Sequence, residues 1–126
     1  MEGYVMKRDN PILTKSYKFS IRVVRLYQYL VKEKKEYVLS KQVLRCGTSI
    51  GANVEEAVGA QSLKDFVSKH SIAYKEARET HYWIRLLRDT DYLDGKQAES
   101  LLTDVDELLR ILASIIKTNK EKLKSN

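Results

Sequence analysis

Apolar residues return every three or four positions through four successive segments of this 126-residue chain, and no stretch alternates with the period of two that a strand needs. That pattern confines the chain to packed α-helices. After an irregular start ending at Asn10 and Pro11, one row runs through Leu13, Tyr17, Ile21, Val24 and Val31, and a second through Phe19, Val23, Leu26 and Leu30. At about 100° per residue the two rows cover more than half the girth of one helix, which is more than a single neighbour can bury. Helix 1 is therefore expected to touch two or more helices, or a second subunit.

The cluster from Lys32 to Glu36 interrupts this period, and a new one opens at Leu39, Val43, Cys46, Ile50, Asn53 and Ala57. Within it Gly47 and Gly51 stand four apart, each costing about 1 kcal/mol of helix propensity relative to Ala. Close approach of a neighbouring backbone explains that cost, and a kink is the alternative. Residues Gly59 to Gln61 read as a turn, with Ser62 and Asp65 resembling a capping box that opens helix 3. Its row is Phe66, His70, Ala73, Ala77, Thr80, Ile84 and Leu87. Asp94 and Gln97 form a second box before helix 4, whose rows are Leu101, Val105, Leu108, Leu112, Ile115 and, beside them, Leu102, Leu109, Ile116. The Lys-rich tail after Ile116 is expected to fray. Helices over about 12–35, 38–58, 62–88 and 94–118, joined by short polar connections, predict an all-α, up-down-up-down four-helix bundle, one domain spanning residues 1–126.

Composition narrows the function. A single cysteine, Cys46, excludes a disulfide framework and a Cys-cluster zinc site, so a reducing cytoplasm is the expected home. No run reaches the roughly 18 apolar residues of a membrane span, and no apolar signal region opens the chain, so no membrane partner is expected. A carboxylate-bridged metal site in a bundle needs Glu-x-x-His pairs, and the residues three before His70 and His81 are Val67 and Arg78. Neither a phosphate-cradling Gly-rich loop nor a Ser/His/Asp set stands at a usable spacing. No catalytic residues, metal or cofactor are therefore expected.

Charge placement is more telling than the net +6. Residues 1–35 hold nine Lys and Arg against three acids, which accounts for the whole imbalance. Lys15, Lys18, Arg22, Arg25 and Lys32 extend along one side of helix 1 for about 25 Å, with Tyr29 among them. Such a stripe suits successive phosphates of RNA or DNA, and Tyr29 suits stacking on an unpaired base. Arg45 and the tail lysines are further candidates. The alternative is a charged outer face serving solubility, in a protein–protein scaffold or accessory subunit that makes no direct nucleic-acid contact. Asn53, Glu56, Glu76, Glu79 and Thr80 fall on or near the facing rows of helices 2 and 3, where a polar network would fix register.

The stretch Ser49-Ile50-Gly51-Ala52-Asn53-Val54-Glu55-Glu56-Ala57, then Lys64-Asp65-Phe66 and Glu79-Thr80-His81-Tyr82-Trp83-Ile84, resembles the four-helix-bundle family of proteins encoded in 23S ribosomal RNA intervening sequences. The resemblance runs from about Pro11 to Ile116 and departs from the usual pattern at Gly51, where Pro is common, and at Ala57, where Gly is usual. It implies a left-handed antiparallel bundle assembling as a homopentameric ring with a central channel. It also implies kinship with accessory proteins of diversity-generating retroelements, which are similarly basic and pair with nucleic acid and a reverse transcriptase.

Overall fold

The computed structural model describes residues 10–125, so the cations and acids before Asn10 lie outside the described residues. Four helices follow one another: α1 (Pro11–Lys32), α2 (Leu39–Val58), α3 (Leu63–Asp89) and α4 (Gly95–Ser125). Their starts are built by local chemistry. Asn10 accepts the N–H groups of Ile12 and Leu13 on its side-chain oxygen, with Pro11 at the first helical position, where its missing N–H costs nothing. Ser62 Oγ accepts the Asp65 N–H at 3.0 Å, while Asp65 reaches back to the Gln61 N–H. Asp94 and Gln97 form the expected reciprocal box, with bonds of 2.7 and 3.0 Å.

α2 starts without a side-chain cap of its own, since Val38 occupies the cap position. The Glu36 carboxylate, folded under the helix end, accepts from the N–H groups of Val38, Leu39 and Ser40 at 3.2, 3.1 and 2.7 Å. Burial alone would raise its pKa, but these donors and the helix dipole favour the anion, and the net shift is downward. A carboxyl held below its usual pKa adds stability above about pH 4.3 that is lost as acid protonates it. Glu36→Gln is accordingly expected to cost about 1–2 kcal/mol at neutral pH. In urea unfolding followed from pH 7 to pH 3, the gap to wild type should close on the acid side.

Successive helices run antiparallel, because contact positions that climb on one element fall on the next. Gly47 lies against Val23 and Gly51 against Ser16 and Ser20, Arg45 meets Glu79 while Lys69 meets Glu56, and His81 meets Asp106 while Tyr74 shares a groove with Ile116. α4 is likewise antiparallel to α1, with Lys15 on Glu107 and Arg22 on Asp104. The core fills from one row of each helix: Ile12, Phe19, Val23 and Leu30 on α1, Val43, Ile50 and Val54 on α2, Ala73, Ala77, Ile84 and Leu87 on α3, and Val105, Leu108 and Leu112 on α4. Packing is dense between α1 and α2, α2 and α3, and α3 and α4, but sparse between α1 and α4.

Several expectations need correction. The chain leaves α1 at Lys32, three residues before the expected end at 35, because Lys35 takes up a left-handed conformation (φ 55°) that a helix cannot continue through. Far from fraying after Ile116, α4 continues to Ser125. Its last turns lie along the first half of α3, where Ile116 and Tyr74 line a common groove, and lysines at a helix C-terminus complement the dipole. Asn53 does not face the core: Val54 takes the inward seat, and the Asn53 amide donates to Ser49 O of its own helix at 2.8 Å.

Candidate functional site

The first apolar row of α1 is the surplus surface. Its members Tyr17, Ile21 and Val24 remain 66, 45 and 39% exposed, while the second row is buried in the bundle. One side of α1 is therefore a wet apolar strip, and the basic stripe runs along its α4-facing edge.

That stripe divides in two. Lys15 Nζ binds Glu107 at 3.0 Å, and Arg22 binds Asp104 at 2.6 Å and also donates to Ser100. Lys18, Arg25 and Lys32 are exposed and have no ion pair among the described residues. These three stand seven residues apart, so they repeat every two turns and span about 21 Å. Tyr29 is half-buried and lines a hollow of about 320 Å³ with Arg25, Leu93 and Gln97 at the α1–α4 seam. The tail lysines Lys117, Lys120 and Lys124 join Lys75 around a groove of about 600 Å³ floored by Tyr74 and Ile116.

Arg45, grouped with the stripe from sequence, points to α3 instead. It is held by the Glu79 carboxylate and by Glu76 at 3.5 Å, and Glu79 also accepts the Trp83 indole N–H at 2.9 Å. A polar network between α2 and α3 thus exists, with Arg45 as its centre. Thr80 is buried and donates to Glu76 O at 2.7 Å and lies 3.2 Å from Cys46 Sγ, whereas Asn53 is outside the network and Glu56 is exposed and paired with Lys69 at 3.2 Å. Burial, the largest influence on Cys46, pushes its thiol up to about 11, so the group stays protonated and unreactive at neutral pH.

Sequence reasoning missed a second constellation. Arg78, His81, Tyr82 and Arg85 fall within two turns of α3, and Asp106 and Leu109 of α4 complete a pocket of about 550 Å³ around them. The signal was present, as spacings of three, four and seven put these residues on one face. It was masked because Asp106, which completes the set, lies on α4 and reaches His81 only in the folded bundle. Among the described residues no group of His, Cys, Asp or Glu is placed to hold a metal ion, and no helix is long and apolar enough to cross a membrane.

Comparison with known proteins places these features in a family. No curated protein matches the sequence. A crystal structure of a protein of unknown function from the S23 ribosomal protein family of Bacteroides thetaiotaomicron VPI-5482 superposes with a TM-score of 0.83 at 53% identity, over 84% of this chain and 98% of that one. The family model described as 23S rRNA-intervening sequence protein matches residues 8–114, which takes in α1, α2, α3 and most of α4. With most of its length covered by that model, the chain belongs to the 23S rRNA-intervening sequence protein family.

Proposed function

We propose that this protein is a non-enzymatic, oligomeric bundle that binds RNA or DNA through phosphate contacts of α1. The observation that carries this reading is the row Lys18, Arg25, Lys32: three exposed cations at even spacing with no ion pair among the described residues. The exposed strip of Tyr17, Ile21 and Val24 on the same helix supports self-association, since burying such side chains against a second copy yields about 25 cal/mol per Å² of apolar surface. Copies joined there would set several basic rows side by side, and a polyanion spanning them gains avidity without any new contact type. The family resemblance supports a pentamer as the closed form.

Lys15 and Arg22 contribute less, because a phosphate must first displace Glu107 or Asp104. Exposed pairs of this kind are worth about 0.2–1 kcal/mol, so the competition is winnable but not free. Binding of labelled single-stranded RNA should weaken with salt at a log–log slope of about −2 per engaged protomer, from three phosphates at about 0.7 each. Changing Lys18, Arg25 and Lys32 together to Glu should abolish that binding. Combining Asp104→Asn with Glu107→Gln should tighten it and steepen the slope by about 0.7 per freed cation. Salt-independent affinity, or a triple variant that binds like wild type, refutes the phosphate reading. Should nuclease treatment of the purified protein leave a protein partner bound to the α1 strip, the scaffold alternative takes its place.

A further inference from the structure

The pocket between α3 and α4 carries a device that the α1 stripe lacks, namely a guanidinium held in place from behind. Arg85 Nε donates to His81 Nδ1 at 3.0 Å, and His81 Nε2 lies 3.3 Å from Asp106 Oδ1. With Nδ1 accepting from Arg85, the neutral ring keeps its proton on Nε2, the side on which the Asp106 carboxylate lies, and that negative charge favours the tautomer that receives Arg85. Only the inner nitrogen of Arg85 is used. Its two terminal amino groups have no acceptor among the described residues and form the fork that matches two oxygens of a phosphate.

Beside that fork stands an aromatic face. The Arg85 guanidinium carbon is 5.9 Å from the Tyr82 ring centroid, and Tyr82 is 49% exposed, braced edge-on by Trp83 with centroids 5.1 Å apart. One turn to the other side, Arg78 is exposed and without an ion pair among the described residues. The acids that line the pocket are both engaged, Glu79 with Arg45 and Trp83, and Asp106 with His81. Two guanidinium groups flanking one open ring, in a hollow of about 550 Å³, suit a ligand that is both anionic and flat.

We propose that Arg78, Tyr82 and Arg85 form a seat for a nucleoside phosphate, its phosphate on the Arg85 fork and its base on the Tyr82 ring, with His81 and Asp106 as positioning residues. The seat is separate from the α1 stripe, since Asp106 faces α3 whereas Asp104 and Glu107 face α1. The ligand's chemistry is the same whether it is a free nucleotide or one unpaired nucleotide of a strand.

Calorimetric titration of the full-length protein with ADP, with inorganic phosphate, and with a short single-stranded RNA tests this directly. Saturable binding of ADP assigns a free nucleotide. Binding of the strand alone, lost in the same variants, assigns an unpaired nucleotide. In either case Tyr82→Leu should weaken binding about tenfold by removing the stacking face, and Arg85→Lys about as much by removing the fork while keeping its charge. Both side chains are exposed, so melting temperatures should stay close to wild type. Asp106→Ala is the sharpest arm: removing a negative charge should tighten anion binding by simple attraction, yet here it should weaken it, because His81 and Arg85 lose their support. Tightening overturns the positioning role. The proposal fails if neither ADP nor RNA binds at millimolar concentration, or if Tyr82→Leu and Arg85→Lys bind as wild type does. ADP binding unchanged in the Lys18, Arg25, Lys32 to Glu variant separates this seat from the α1 reading.

Discussion

Gly47→Val is expected to lower unfolding free energy by about 3 kcal/mol, the upper end of what overpacking a close helix contact costs. A Cβ placed on Gly47 would sit 2.7 and 2.8 Å from the two Val23 methyls and 3.2 Å from Val23 Cβ. Val23 is fully buried and β-branched, so its side chain has one favoured rotamer in a helix and cannot swing aside. The added methyls of valine must then push α1 and α2 apart along the seam where Gly51 already stands 3.0 Å, counted to its notional Cβ, from Ser20 Oγ and 3.2 Å from Ser16 O. The loss is a large share of the 5–15 kcal/mol that usually holds a domain together. Val23→Ala in the same chain should recover most of it, because the two positions compete for one volume. Urea unfolding of the single and double variants measures the coupling. A Gly47→Val protein as stable as wild type would mean that the helices separate freely, contrary to the close approach described.

His70→Leu is expected to gain in stability relative to wild type as the pH is lowered from 7.5 to 5. His70 is fully buried, and its Nδ1–H donates to Phe66 O at 2.8 Å, while Nε2 is buried with no partner among the described residues. Burial lowers the pKa of the ring, and the Phe66 carbonyl only partly offsets this. The unfolded chain therefore binds a proton near pH 6.5 that the folded chain refuses, so wild-type stability falls as pH drops below that value. Leucine has no proton to take up and leaves no orphaned nitrogen. Unfolding free energies measured from pH 7.5 to pH 5 should diverge steadily; parallel curves would show that the imidazole finds a partner when charged.

The helices, their order and most of the core rows were readable from spacing, because an apolar period of 3.6 is a local property of the chain. The Asp94–Gln97 box was readable for the same reason. What could not be read was partner choice across the bundle. Lys15 and Arg22 look free in sequence, but Glu107 and Asp104 lie 92 and 82 residues away and become neighbours only when α4 folds back. Asn53 and Val54 both satisfy a three- or four-residue step from Ile50, so periodicity could not decide which turns inward. The desolvation cost of the amide decides it. Glu36 was hidden in a cluster of charges that reads as a loop, and its service to α2 depends on the chain doubling back after Lys35. Arg45 was misgrouped because its own helix shows no acid beside it, and the carboxylates that claim it belong to α3.

The sparse α1–α4 boundary gives the bundle a grain. All four helices share one hydrocarbon core, but the α1–α4 junction has the fewest close backbone approaches and carries Lys15–Glu107 and Arg22–Asp104 at its rim. Ions in solution weaken a clasp of charges while leaving hydrocarbon glue intact, since the screening length shrinks to about 3 Å at 1 M. High salt, or a polyanion that draws away those two cations, is therefore expected to loosen this joint before the other three.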